Sequence, residues 1–168
     1  GFEDHRLFYN YGVLLNGLGK LQEAESLYRK AIETNPSFAE AYYNLGLILK
    51  SLGNLKEAES SYRKAIEVKP YFALAYLNLG GILKDIGKLL EAKSSYRKAI
   101  EIKPDFADAH LNLGNTLKDL GKLQDAELSY RKAIEIKPDY AEAHSNLGNV
   151  LRDLDKLQDA ELSYRKAI

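Results

Sequence analysis

The sequence predicts an all-α solenoid of stacked helical hairpins, and three observations predict it. Pro36, Pro70, Pro104 and Pro138 stand 34 residues apart. The run Tyr-Arg-Lys-Ala-Ile returns in the same frame at Tyr28, Tyr62, Tyr96, Tyr130 and Tyr164. Within each period the apolar residues fall at helical spacing, and the alternation a strand needs is absent. A fixed period of this length marks a repeat architecture. The frame divides the chain, a single domain over 1–168, into repeats 5–38, 39–72, 73–106, 107–140 and a shortened 141–168.

Each repeat reads as two helices. In the second, Ala41, Leu45, Ile48, Leu49 and Leu52 mark one apolar face, and Gly53-Asn54 breaks the run. Leu55, Ala58, Tyr62, Ala65 and Ile66 then form a second stripe, which ends before Pro70. Neither helix can bury its stripe alone, so neighbouring hairpins must stack. Ser37-Phe38-Ala39-Glu40 and Asp139-Tyr140-Ala141-Glu142 have the form of capping boxes at the start of a first helix, and Asp105 with Asp108 comes close to it. Tyr71-Phe72-Ala73-Leu74 lacks that form, which predicts a less firm start to the third repeat. Glu25–Arg29 and Glu59–Arg63 sit four apart on a solvated face. Lys69, Lys103 and Lys137 lie in last turns, where a cation suits the helix dipole.

Glycine inside a helix costs roughly 1 kcal/mol against alanine. Gly12, Gly46, Gly80, Gly114 and Gly148 recur at one phase of the first helices, so they need a reason. Close approach to Ala24, Ala58, Ala92, Ala126 and Ala160 on the paired helix is the expected one, with the repeated tyrosines filling the space beside.

Composition removes several classes of function. Lys plus Arg and Asp plus Glu both number 24, so the basic excess that phosphate contacts demand is missing and nucleic acid is not an expected partner. The absence of cysteine excludes disulfides, thiolate metal sites and thiol nucleophiles, and fits a reducing compartment such as the cytoplasm. No run approaches the ~20 apolar residues of a membrane span. The opening Gly1-Phe2-Glu3-Asp4-His5-Arg6 lacks the pattern of a signal peptide, and Gly1 together with an end inside a repeat suggests a piece of a longer chain.

The combined pattern resembles the tetratricopeptide repeat family. Its phases read Tyr42, Leu45, Gly46, Leu49, Ala58, Tyr62, Ala65 and Pro70 in the second repeat, and essentially the whole chain follows them. Tyr11 departs from the pattern in the first repeat, His110 and His144 replace the first aromatic in the last two, and Asp155 replaces Gly19, Gly53, Gly87 and Gly121 between helices. Glycine there is expected to take a left-handed conformation, which Asp155 would have to share. The resemblance implies a right-handed superhelical solenoid of antiparallel helix pairs, with the first helices lining a concave groove that binds peptides or partner domains.

On the first helices, the side opposite the packing stripe carries Asn10, Asn44, Asn78, Asn112 and Asn146. Asparagine is a poor helix former, and its amide both donates and accepts, so a row of them can hold the main chain of an extended peptide. The row resembles the asparagine ladder in the repeat region of O-linked N-acetylglucosamine transferase, which implies recruitment of a partner or substrate peptide. Hydrogen bonds between helices would explain the same residues. Flanking candidates are Tyr9, Tyr43, Leu77 and Leu111, with Asn115 and Asn149, and the cations Lys50, Lys84, Lys118 and Arg152. Asp85, Asp119 and Asp153 follow three of those cations, and a solvated rim accounts for them equally well.

Catalysis has no support in the sequence. No cofactor and no metal is expected: no phosphate loop and no H-E-x-x-H motif is present, and His110 and His144 take the slots of Tyr42 and Tyr76, where packing explains them. The expected function is a non-catalytic scaffold that binds a peptide or protein segment. Two alternatives stand beside it. One is end-to-end self-association through an uncapped C-terminal helix bearing Leu157, Ala160, Leu162, Tyr164 and Ile168. The other is an idealised array without a ligand, against which the divergent first repeat and Asp155 count.

Overall fold

The computed structural model describes residues 4–168; Gly1, Phe2 and Glu3 of the signal-peptide reading lie outside them. Ten helices run through the described residues: α1 His5–Gly17, α2 Leu21–Thr34, α3 Ala39–Ser51, α4 Leu55–Val68, α5 Ala73–Asp85, α6 Leu89–Ile102, α7 Ala107–Asp119, α8 Leu123–Ile136, α9 Ala141–Asp153 and α10 Leu157–Arg165. Two compact units divide between Ile82 and Leu83, inside α5. In the first, α1 packs on α2, α2 on α3 and α3 on α4. In the second, α6 packs on α7, α7 on α8, α8 on α9 and α9 on α10. The all-α hairpin architecture is therefore the one the period predicts.

The turn inside each hairpin is closed by the same pair of backbone bonds. Gly19 N–H donates to the Asn16 carbonyl at 2.9 Å and Lys20 N–H to the Leu15 carbonyl at 2.9 Å, a Schellman closure that requires a left-handed residue between them. Gly19 has φ +75°, and Asp155 holds the same place at φ +60°, the one positive φ outside glycine among the described residues. Its closure is intact, with Lys156 N–H on the Leu151 carbonyl at 2.8 Å.

The helix starts differ from expectation. The residue before each of α3, α7 and α9 is Phe38, Phe106 or Tyr140, and none makes a side-chain capping bond. Ser37 instead donates its N–H to Asn35 Oδ1 at 3.1 Å, one step too early to cap α3. Packing takes precedence: the Phe38 ring lies 4.9 Å from Tyr9 and 5.1 Å from His5, and Phe72 lies 4.9 Å from Tyr43. Burying an aromatic ring is worth more than the ~1 kcal/mol of a cap. The third repeat, without a capping box, accordingly starts at the same register, Ala73, as its sisters at Ala39 and Ala107. Lys69, Lys103 and Lys137 follow their helices as cap residues and lie over the rings of Phe72, Phe106 and Tyr140 at 4.8, 5.0 and 4.5 Å.

The helical glycines make room for the tyrosines. A Cβ on Gly46 would stand 2.7 Å from Tyr62 Cε1, and one on Gly114 would stand 2.6 Å from Tyr130 Cε1. Tyr28, Tyr62 and Tyr130 are wholly buried there, and the alanines one turn earlier, Ala24, Ala58 and Ala126, are sealed beside them. The tyrosine ring thus occupies the space that a side chain on the glycine would fill, as the expectation of tyrosines filling the space beside the glycines has it.

Candidate functional site

Adjacent Tyr-Asn pairs on α1 and α3 build the candidate face of the first unit. Asn44 donates from Nδ2 to the Tyr9 hydroxyl at 3.0 Å, and Asn78 on α5 donates to the Tyr43 hydroxyl at 3.0 Å. Asn78 Nδ2 also reaches the Leu74 carbonyl at 3.1 Å. Each bond ties one repeat to the next, 35 residues on. It fixes the amide's rotation and leaves Oδ1 without an internal partner among the described residues. Asn44 and Asn78 are half-buried, while Asn10 is exposed.

The second unit uses different groups. Asn146 donates from Nδ2 to Asn115 Oδ1 at 2.9 Å, and the Tyr130 hydroxyl donates to the same oxygen at 2.7 Å. Both lone pairs of Asn115 are therefore used, and its Nδ2 remains as a donor. Asn149 accepts from the Tyr164 hydroxyl at 2.9 Å. Asn112 and Asn146 are half-buried like their counterparts, and Leu111 is buried.

The buried tyrosine hydroxyls thus divide in two. Tyr28 and Tyr62 are wholly buried and their hydroxyls have no hydrogen-bond partner. Burial pushes the Tyr28 hydroxyl up to about 12; the neighbouring Tyr9 adds to the rise, and the Asn44 amide opposes it without closing a bond. Burial also raises Tyr62 and Tyr130 well above the ordinary phenol range. The residue after the helical glycine makes the difference: Val13 and Leu47 stand where Asn115 and Asn149 stand in the second unit.

The cations do not form an open row. Lys84 Nζ lies 3.3 Å from Asp119, and Arg152 lies 3.1 Å from Asp153. Lys50 is exposed and Lys118 half-buried, neither in an ion pair among the described residues. His110 and His144 place Nε2 at 3.0 and 2.8 Å from the carbonyls of Pro104 and Pro138, so each has a structural role at the head of its helix. No group of three or more His, Asp or Glu able to hold a metal occurs among the described residues, and no described helix is long and apolar enough to cross a membrane. Clefts of about 380 Å³ beside Arg131 and His144 and about 310 Å³ beside Arg29 and Tyr42 are lined by none of the asparagines.

The hydrogen bonds between helices that the sequence offered as the other explanation of the asparagines are present at Asn44, Asn78 and Asn146, but sequence reasoning did not name their partners. A signal was present: each tyrosine is followed by an asparagine 35 residues later, one more than the period. It did not find the orphaned hydroxyls. On α10, Ala160 is buried while Leu157, Leu162 and Ile168 are exposed.

Models of the TPR repeat match residues 12–53, 80–121 and 114–155, and a tetratricopeptide repeat model matches 39–72. The chain belongs to the tetratricopeptide repeat family, a family of protein-interaction scaffolds. The solved structure of MamA is 26% identical over 93% of this chain and 91% of its own, with a TM-score of 0.88. YrrB, described as a TPR protein with an unusual peptide-binding site, is 26% identical over 96% of this chain and 83% of its own, with a TM-score of 0.82. TTC0263, a thermophilic TPR protein of Thermus thermophilus, is 26% identical over 97% and 89%, with a TM-score of 0.71. Among curated proteins no sequence matches closely enough to count as a relative.

Proposed function

We propose that the chain is a non-catalytic scaffold whose first helices hold an extended peptide segment of a partner protein by its main chain. The observation that carries the reading is the fixed amide. Asn44 and Asn78 are half-buried, locked by the hydroxyls of Tyr9 and Tyr43, and left with Oδ1 to accept. A peptide N–H is the donor that suits such an oxygen at every repeat, whatever the peptide's side chains. In the second unit, Asn115 Nδ2 adds a donor suited to a peptide carbonyl. Pre-oriented groups of this kind spare the ordering cost of binding. The peptide-binding description of YrrB and the resemblance to the asparagine ladder of the transferase repeat region support the same reading. Lys50 and Lys118 would favour acidic side chains at the margin.

The test is selection of peptides from a displayed random library on the intact chain, followed by calorimetry on a selected peptide. The double variant Asn44→Ala/Asn78→Ala is expected to weaken that peptide about tenfold or more, by loss of two main-chain hydrogen bonds. N-methylation of the peptide backbone should weaken it comparably. Unchanged affinity in both experiments removes the reading.

A further inference from the structure

Gly81 lies in the middle of α5 and has no counterpart in the other repeats. The phase of the tyrosine-facing glycines Gly46 and Gly114 is already filled one place earlier, by Gly80. At the phase of Gly81 itself the other first helices carry Val13, Leu47, Asn115 and Asn149. Glycine is among the poorest residues for a helix interior, and a bare stretch of backbone suits the close approach of a ligand.

Gly81 shares a face of α5 with Leu74, Leu77 and Asn78, which precede it at helical spacing. That face is open: Leu74 is 46% exposed, and Leu77, Asn78 and Gly81 are half-buried. The bond from Asn78 to the Tyr43 hydroxyl sets it beside the stripe of α3 that carries Tyr43 and Leu47, both half-buried. All of these residues belong to the first unit, and none lies on the first or last helix. Leu74 is a second departure. Its phase holds Glu40, which pairs with Lys69 at 2.8 Å, and Asp108, which accepts from the Tyr140 hydroxyl at 2.7 Å. The third repeat gives up that acid for a leucine it does not bury. One departure removes bulk and the other removes charge, on the same face and beside the same held amide.

We infer that the bare backbone at Gly81, flanked by Leu47, Leu74 and Leu77, is the subsite for one bulky apolar side chain, leucine, isoleucine or phenylalanine, of the peptide whose N–H Asn78 Oδ1 accepts. This rests on the scaffold reading and adds the class of peptide. The asparagines hold a main chain whatever its side chains, so selection falls to the groups beside them. Here those groups offer apolar surface and no charge, which an apolar side chain matches and a charged one does not. The reach is right. Gly81 stands three residues, ~4.5 Å of helix rise, beyond Asn78, and successive residues of an extended peptide are ~3.4 Å apart. A residue next to the held N–H therefore brings its side chain to Gly81.

The test uses peptides selected from a displayed random library on the intact chain. They are expected to share one leucine, isoleucine or phenylalanine next to the residue whose N-methylation weakens binding. Calorimetry then compares each peptide with its alanine version at that shared position. On the wild-type chain the alanine version should bind about tenfold more weakly or worse. On Gly81→Leu the ratio should fall below about twofold, because leucine fills the place as Leu47 does. Leucine is the better helix former, so circular dichroism should show no loss of helix. Leu74→Glu, at an exposed position, restores the acid of the sister repeats and should shrink the same ratio, which keeps the test decisive should Gly81→Leu not fold. A chain that selects no peptide, or whose peptides bind Asn44→Ala/Asn78→Ala as tightly as wild type, overturns the scaffold reading and the subsite with it. Peptides that the asparagine variant weakens but that share no apolar position, or whose alanine ratio is the same on wild type and both variants, overturn the subsite and leave the scaffold reading standing.

Discussion

The two units build the same hairpin around a buried tyrosine and differ in how they treat its hydroxyl. In the first, Tyr28 and Tyr62 are sealed with no partner. In the second, Tyr130 and Tyr164 donate to Asn115 and Asn149. A buried orphan hydroxyl costs ~1–3 kcal/mol. Emptying the ring's place would cost ~3–5 kcal/mol, so the ring stays even where its polar end is unsatisfied. Fold and polar satisfaction are therefore separable here, and a single position after the helical glycine separates them.

The largest expected effect comes from erasing the difference. Asn115→Leu gives the second unit the arrangement of the first, orphans the Tyr130 hydroxyl and removes the acceptor of Asn146. Urea denaturation should show a loss of about 2 kcal/mol; an unchanged midpoint would mean that the hydroxyl finds another partner. Next in size is a pair of hydroxyl deletions read in the same assay. Tyr130→Phe should cost about 1 kcal/mol, while Tyr62→Phe should be neutral or stabilising, since it removes only an unpaired group. Equal costs at both sites would break the comparison. The smallest effect is at the last hairpin turn, where Asp155→Gly relieves a left-handed aspartate at φ +60° and should raise the thermal midpoint by a gain of about 0.5–1 kcal/mol.

Much of this was legible before any coordinates. The prolines, the Tyr-Arg-Lys-Ala-Ile runs and the helical glycines placed the hairpins, and Asp155 announced its own left-handed turn. The first-helix asparagines were legible as a set, because residues at one phase of a helical repeat must share a face. The tie between Asn44 and Tyr9 was not, since it depends on how far successive hairpins are offset, and a periodic sequence repeats identically for several offsets. The capping boxes misled for a related reason. Ser37 and Glu40 have the right spacing, but the helix entry is set by the burial of Phe38 against Tyr9.

The sequence by itself determined that this protein is a series of helical hairpins, because a 34-residue period with two apolar stripes leaves no other way to bury them. Tertiary structure alone decided which amides are held and which oxygens stay free, and which hydroxyls are orphaned. Those outcomes turn on atoms brought together from different helices, which local periodicity marks alike in every repeat.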